Sequence, residues 1–376
     1  MKLRIIEHGG FADCYLTGVP ESSQDGGGAA VFAWAASQLA AHGVEPIYEK
    51  IYGRRSRTVD ILKWRRAAYE AAGVATDTLF TFLEGKPLHD GDLAGIQIWG
   101  VIPRDAPRPM VQTFSFGANQ NGRVFTGADC RLYYFPSLRG LAGNGALPDD
   151  RLAQAERLFD AAVAAVKEQG LTYRQVVRTW IYLAHLLDWY VPFNNVRTEH
   201  YRREGLGPEP PEAPYPASTG IQGQSGDEEC LMDVLALREL GAGAAKRAIQ
   251  KSARQNQSMR YGSSFSRGMA VEFGGRKTVY ISGTASIDPA GKSAHVGNPE
   301  LQVLETLLCL GAILKDEGGD LSHVVQATCF CKTPEAFQAF RNVTALLAMP
   351  AFPVVPVRAD VCRDDLLIEI EATAMI

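Results

Sequence analysis

The sequence predicts an α+β protein built from tandem β-β-α-β-α-β units. Three observations carry this. One order of elements occurs twice, in the middle and at the end of the chain. In both copies a hairpin ending at glycine precedes a helix whose apolar residues recur every 3.6 positions. Both copies close with a proline-led loop and an apolar strand that carries one inner carboxylate.

Residues 1–106 read as a looser first unit, with strands at 14–17, 44–52 and 93–101 and helices at 29–41 and 58–72. The proline-rich stretch 103–109 separates it from a second unit, 107–240. There, Thr113-Phe-Ser-Phe-Gly117 and Gly122-Arg-Val-Phe-Thr-Gly127 form the expected hairpin. A helix at 152–166 ends near Gly170, a strand lies in 171–183, and a second helix holds Phe193-Asn-Asn-Val196. Pro216-Ala-Ser-Thr-Gly220 and Leu231-Met-Asp-Val-Leu235 close the unit, and the prolines of 208–214 make a surface loop of polyproline character. The charged stretch 238–254 reads as the next linker. In the third unit, 255–376, the matching segments are Ser264-Phe-Ser-Arg-Gly268 with Lys277-Thr-Val-Tyr-Ile-Ser-Gly283, a helix at 301–314 ending near Gly318 or Gly319, and a strand in 321–331. A helix with Phe340-Arg-Asn-Val343, the loop Pro356-Val-Arg-Ala-Asp360 and the strand Leu367-Ile-Glu-Ile-Glu371 complete it.

With 376 residues, 46% hydrophobic and 21% charged, the chain can bury cores for two or three such units. A net charge of -4 and a pI near 6.0 argue against nucleic acid or anionic membrane as partner and favour a small neutral or anionic metabolite; the candidate arginines below make a small-molecule carboxylate the expected substrate. The first residues lack the apolar run of a signal peptide, and no stretch approaches the roughly 18 apolar residues of a membrane span. The expected location is the cytoplasm, with seven scattered cysteines as reduced thiols.

The candidate chemistry lies in the last unit. Glu369 and Glu371 are two apart, so both point to one face of a strand whose other face carries Ile368 and Ile370. In a partly apolar cleft, one of the two carboxyls would have a raised pKa and act as a general acid at neutral pH. On spacing alone, a solvated face with salt bridges is the commoner outcome. Cys362, seven residues earlier, can serve the same cleft as a nucleophile or as a small polar wall, although buried free cysteine is commoner than catalytic cysteine. Arg267 and Arg358 offer planar guanidinium groups for gripping a carboxylate, with exposed ion pairs as the equal alternative. Tyr261 offers a hydroxyl. By position, the middle unit has Asp233 for Glu369 and Ser218-Thr219 for Arg358, and the first ends in Ile96-Gln-Ile-Trp99 without a carboxylate. One competent cleft is therefore expected, with the Thr219-Gly220 loop lining it from across an interface.

Other signals are weak. Asp25-Gly-Gly-Gly28 lacks a phosphate-loop pattern and reads as a turn. Cys329 and Cys331 share a strand face without a second ligand pair, so no metal is expected. A Gly-x-Ser-x-Gly nucleophile turn is absent.

Phe265-Ser-Arg-Gly268, Ile281-Ser-Gly283 and Ile368-Glu-Ile-Glu-Ala372 make the last unit resemble the RidA/YjgF family. That family forms homotrimers with active sites between subunits, so the resemblance implies a single-chain pseudo-trimer. A resemblance covering the C-terminal two-thirds, to the chorismatases, rests on Arg178-Thr-Trp-Ile-Tyr182, Thr219-Gly-Ile221, Tyr261-Gly262 with Phe265-Ser-Arg267, and Arg363-Asp-Asp-Leu-Leu-Ile-Glu-Ile-Glu371. It implies cofactor-free cleavage of chorismate to pyruvate and a hydroxybenzoate or dihydroxycyclohexadiene carboxylate. It also implies Glu369 as catalytic acid, Cys362 as the mark of the hydroxybenzoate-forming branch, and Arg267, Arg358, Tyr261, Phe265, Thr219 and Gly220 around the substrate. Ser263-Ser264 depart from that family's pattern, which has prolines there. An enamine or imine deaminase using Arg358 for the substrate carboxylate, and a non-catalytic binder of the same fold, are the competing expectations. A pseudo-trimer complete in one chain favours a monomer or a weak homo-oligomer.

Overall fold

The structure, a computed structural model, describes residues 1–21, 27–88, 90–105 and 107–376. Three α+β layers repeat along the chain. The first comprises β1 (Lys2–Glu7), β2 (Phe11–Gly18), α1 (Gly27–His42), β3 (Glu45–Gly53), α2 (Thr58–Ala72), β4 (Thr81–Glu84) and β5 (Leu93–Pro103), in a sheet ordered β1-β2-β5-β3-β4. The second has β6 (Val111–Phe116), β7 (Gln120–Thr126), β8 (Cys130–Arg139), α3 (Arg151–Glu168), β9 (Val176–Leu183), α4 (Leu186–Arg203), β10 (Ala217–Gln222) and β11 (Cys230–Glu239), ordered β10-β9-β11-β8-β7-β6. The third has β12 (Ala245–Ile249), β13 (Gly268–Phe273), β14 (Arg276–Ala285), α5 (Pro299–Asp316), β15 (Val324–Cys331), α6 (Pro334–Leu346), β16 (Val354–Arg358) and β17 (Ile368–Met375), ordered β12-β13-β14-β17-β15-β16.

The helices start and stop where local chemistry dictates. Asp150, Asn298 and Thr333 accept backbone N–H groups in the first turns of α3, α5 and α6, and Pro299 and Pro334 open the latter two. The left-handed backbone at Gly170 and Gly318 ends α3 and α5. Residues 25 and 26 of the glycine run lie outside the described residues, while Gly27 and Gly28 already belong to α1.

Each sheet buries one face under its own pair of helices. The opposite faces of all three meet in a shared core that includes Tyr48, Trp99, Tyr134, Trp180, Tyr280 and Phe330. Such strands are buried on both faces, which is why β2, β5, β9, β15 and β17 read as near-continuous apolar runs.

A cyclic set of backbone bonds links the three layers. The Glu84 N–H donates to the Gln224 carbonyl, Gln222 to Asp360, and Arg358 to Lys86, at 2.6, 3.2 and 2.8 Å. Glu84, Gln222 and Arg358 are opposite Gly53, Leu183 and Cys331 in their own sheets, so they occupy corresponding places in the three units. The chain is thus a tandem pseudo-trimer.

This register corrects several expectations. The strand equivalent to β14 in the middle unit is β8, not 122–127; β6 and β7 correspond to β12 and β13. The misalignment arose because any glycine-ended hairpin fits the pattern, whereas sheet neighbours fix the equivalence. The charged 238–254 stretch is not all linker, since β12 lies in it and pairs with β13. Asp233 pairs with Trp180, and Glu371 pairs with Thr328 at the same position of the equivalent strand; Asp233 therefore corresponds to Glu371. The places matching Glu369 are held by Leu231 and Gly95, opposite Tyr182 and Tyr52. Arg358 corresponds to Gln222 rather than to Ser218-Thr219.

Candidate active site

Alternation along β17 sends Ile368 and Ile370 under α5 and α6, and turns Glu369 and Glu371 inward, both buried. Glu371 is ion-paired with Arg178 of β9, at 2.6 Å, and accepts from Thr328 Oγ1 at 3.1 Å. Glu369 takes no part in an ion pair among the described residues. It faces a cleft between the second and third units lined by Tyr190 and Arg197 of α4, Ser218 and Gly220 of β10, and Tyr261, Ser263, Phe265, Arg267, Cys362 and Arg363. The enclosed space is about 40 Å³, within a cleft of about 500 Å³ reckoned to its open mouth.

Two seams hold the cleft's walls together. The Ser218 N–H donates to Ser282 Oγ at 2.9 Å, and Ser282 Oγ donates in turn to the Ser266 carbonyl. Beside it, Thr219 Oγ1 accepts from Arg178 Nη2 at 2.5 Å and from the Gly283 N–H at 3.1 Å. Opposite, Arg267 is braced by two bonds from Nε and Nη2 to the Asn256 carbonyl and lies 5.4 Å from the centres of both the Tyr261 and Phe265 rings. The Arg363 guanidinium also lies 5.4 Å from the centre of the Tyr261 ring.

Burial in this setting, reinforced by the neighbouring Glu371 carboxylate, raises the Glu369 carboxyl to about 8; Arg178 and Cys362 pull the other way. Glu369 is therefore largely a neutral acid at pH 7. Burial, with the Glu369 charge, also pushes the Cys362 thiol far up, so it stays a thiol and suits a polar wall better than a nucleophile. The Tyr261 hydroxyl is raised by burial and has no partner among the described residues.

Of the residues singled out from sequence, Glu369, Cys362, Arg267, Tyr261, Phe265 and Gly220 line one cleft, and Thr219 adjoins it. Arg358 does not. It is exposed, at a separate mouth with Glu84, Lys86, His185, Gln222 and Lys332. Sequence reasoning missed Arg197, which is 1% exposed with Nε and Nη2 unpartnered among the described residues. Buried guanidinium nitrogens without a partner are costly, and Arg197 lines the cleft, which makes it a candidate for an anion. The equivalent cleft between the third and first units is filled: Val355 and Val357 press on Gly95 and Gly85 so closely that neither glycine has room for a side chain.

Residues 259–376 match the family described as Endoribonuclease L-PSP. A 2-iminobutanoate/2-iminopropanoate deaminase of Capra hircus is 32% identical over 77 residues, 20% of this chain and 56% of that protein, so the chain spans little more than half of this curated relative. A RidA crystal structure from an Antarctic Psychrobacter species matches 35% of this chain and 97% of its own at 23% identity, with a TM-score of 0.28. A chorismatase crystal structure aligns over 99% of this chain and 100% of its own, at 14% identity and a TM-score of 0.61. The whole chain has the chorismatase fold. Within that fold, the Endoribonuclease L-PSP match lies on the unit that carries Glu369, and the second unit contributes Arg178, Arg197 and the β10 wall.

Proposed function

We propose that this chorismatase-fold protein cleaves the enolpyruvyl ether of chorismate or a close relative, releasing pyruvate. The observation that carries the reading is Glu369, a buried carboxyl raised to about 8, without an ion-pair partner among the described residues and facing a cleft that also holds Arg197 and Arg267. An enol ether is opened by protonating its terminal methylene carbon, which needs an acid still protonated at neutral pH. When water captures the resulting oxocarbenium, the hemiketal collapses by breaking the bond between the former enol carbon and the ether oxygen, so pyruvate leaves and that oxygen stays on the ring as a hydroxyl. Without water, the ring carbon–oxygen bond breaks instead, pyruvate leaves with that oxygen, and the ring loses a proton and becomes aromatic. Capture by water leaves a dihydroxycyclohexadiene carboxylate. Loss of pyruvate without net uptake of water leaves a hydroxybenzoate.

Arg197, whose Nε and Nη2 have no partner among the described residues, and Arg267, held by one edge against the Asn256 carbonyl, would take the two carboxylates of such a substrate. Cys362, a neutral thiol against Glu369, is placed to decide how far water reaches the reacting carbon. A non-catalytic role is disfavoured because Glu369 is neither ion-paired nor walled off from the cleft. An imine deaminase relying on Arg358 is disfavoured because Arg358 opens onto a different mouth.

The test is to incubate the purified protein with chorismate and follow pyruvate through lactate dehydrogenase, with Glu369→Gln and Cys362→Ala alongside. Pyruvate from the parent and a loss of at least about 100-fold in Glu369→Gln is the expected result. No pyruvate from the parent, with ammonia from imine substrates instead, would sink the reading.

A further inference from the structure

We propose that Arg178 and Glu371 are positioning residues for Glu369: Glu371 orients the guanidinium, the guanidinium and the Gly283 amide pin Thr219 Oγ1, and this relay fixes the seat and the charge surroundings of the acid. The inference deepens the reading above and rests on Glu369 being the acid. It starts from a geometry that crosses the interface between two units. Arg178 Nη2 is shared between Glu371 Oε2 at 2.6 Å and Thr219 Oγ1 at 2.5 Å. Thr219 Oγ1 also receives the Gly283 N–H at 3.1 Å. Gly283 is the residue on which the Glu369 carboxyl rests, and Thr219 Cγ2 flanks the same spot.

Both acceptor positions of the Thr219 hydroxyl are occupied, so it has no freedom to turn without breaking a bond in this relay. Arg178, Glu371 and Thr219 are all buried, so water does not readily replace a lost partner among their side chains. Glu371 lies two residues beyond Glu369 on the same face of β17, roughly 7 Å along the strand. At that spacing in a dry interior its charge acts strongly on Glu369, while Arg178 acts against it.

The other groups on Glu371 are Thr328, Tyr182 of β9 and, from β3, Lys50, Tyr48 and Tyr52; those on Glu369 are Cys362 and Tyr190. None of them belongs to the relay, so its effect is separable by substituting Glu371 and Thr219 alone.

The experiment uses the full chain labelled with carboxyl-¹³C glutamate, with the Glu369 signal assigned by its loss in Glu369→Gln. Its titration midpoint is read in the parent, Glu371→Gln, Thr219→Val and Thr219→Ser. In Glu371→Gln, which keeps the size and a hydrogen-bonding amide, the midpoint is expected to fall by on the order of one pH unit. Thr219→Val, which leaves the ion pair in place, is expected to move the midpoint and to lower kcat for pyruvate release roughly tenfold at nearly unchanged KM, and Thr219→Ser to restore both. An unchanged midpoint in Glu371→Gln, or Thr219→Val behaving like Thr219→Ser, overturns the relay whether or not chorismate is turned over. A shifted midpoint in a protein that releases no pyruvate keeps the relay and rejects the substrate instead. Thr219→Val carries the test alone should Glu371→Gln fail to fold.

Discussion

The Glu369 carboxyl rests on the α-carbon of Gly283, so close that any side chain at 283 would take the place of its Oε1. The acid is seated by an absence of atoms on the neighbouring strand. Gly283→Ala must therefore displace the carboxyl or push the strands apart at a register shift between β14 and β17. The expected outcome is a loss of pyruvate release of 100-fold or more, with a destabilisation of about 1–3 kcal/mol from overpacking, read by steady-state kinetics and chemical denaturation.

Arg197 separates binding from stability. Its Nε and Nη2, without a partner among the described residues, are buried at a cost that a ligand anion would relieve. Arg197→Met is expected to raise KM at least about tenfold, while its melting temperature stays level with the parent's or rises. A lowered melting temperature with unchanged KM would assign the residue to structure instead.

The raised pKa of Glu369 predicts a stability profile. In the unfolded chain this carboxyl titrates near its ordinary value of 4.5, and in the folded one near 8, so between these values the folded state holds a proton that the unfolded state has lost. Stability through this group therefore falls as pH rises across that window, by roughly 1.4 kcal/mol per unit. Glu369→Gln removes the effect. Its stability advantage over the parent is expected to grow from about pH 5 to pH 8 and to level off above, as measured by urea denaturation across that range.

Arg358 gives the contrary expectation. Because it opens onto the mouth shared by Lys86, Gln222 and Lys332, Arg358→Ala should leave pyruvate release within about twofold of the parent. A collapse of kcat/KM would place it in the reaction after all.

The third unit was the most legible from sequence, because a strand's alternation states which side chains share a face without reference to any neighbour. Glu369 and Glu371 follow from this, and the 3.6-residue spacing of 301–314 with Gly318 gave the end of α5, while the caps at Asn298 and Thr333 were not read. What was hidden depends on pairing across distance. β12 is short and sits in a charged stretch, and only its union with β13 makes it a strand. The match of Asp233 to Glu371 is a matter of sheet register, which acidic spacing does not encode. Arg197 lies on a helix whose pattern shows a buried face but not what that face meets, and its partner wall comes from residues 60 to 170 positions later. Arg358 was expected at the site for its guanidinium and for the deaminase resemblance, neither of which says which mouth the side chain opens onto.

The ring of backbone bonds from Glu84 to Gln224, Gln222 to Asp360 and Arg358 to Lys86 closes within a single polypeptide. Three separate copies meeting this way would find one another at a rate set by concentration, and dilution would part them. Here linkers hold the partners at a high effective concentration whatever the amount of protein. Each junction is also free to change by itself: one can be plugged with valines for strength while another keeps an unpaired acid and a hollow, a division of labour that identical copies, altered everywhere by every mutation, cannot reach.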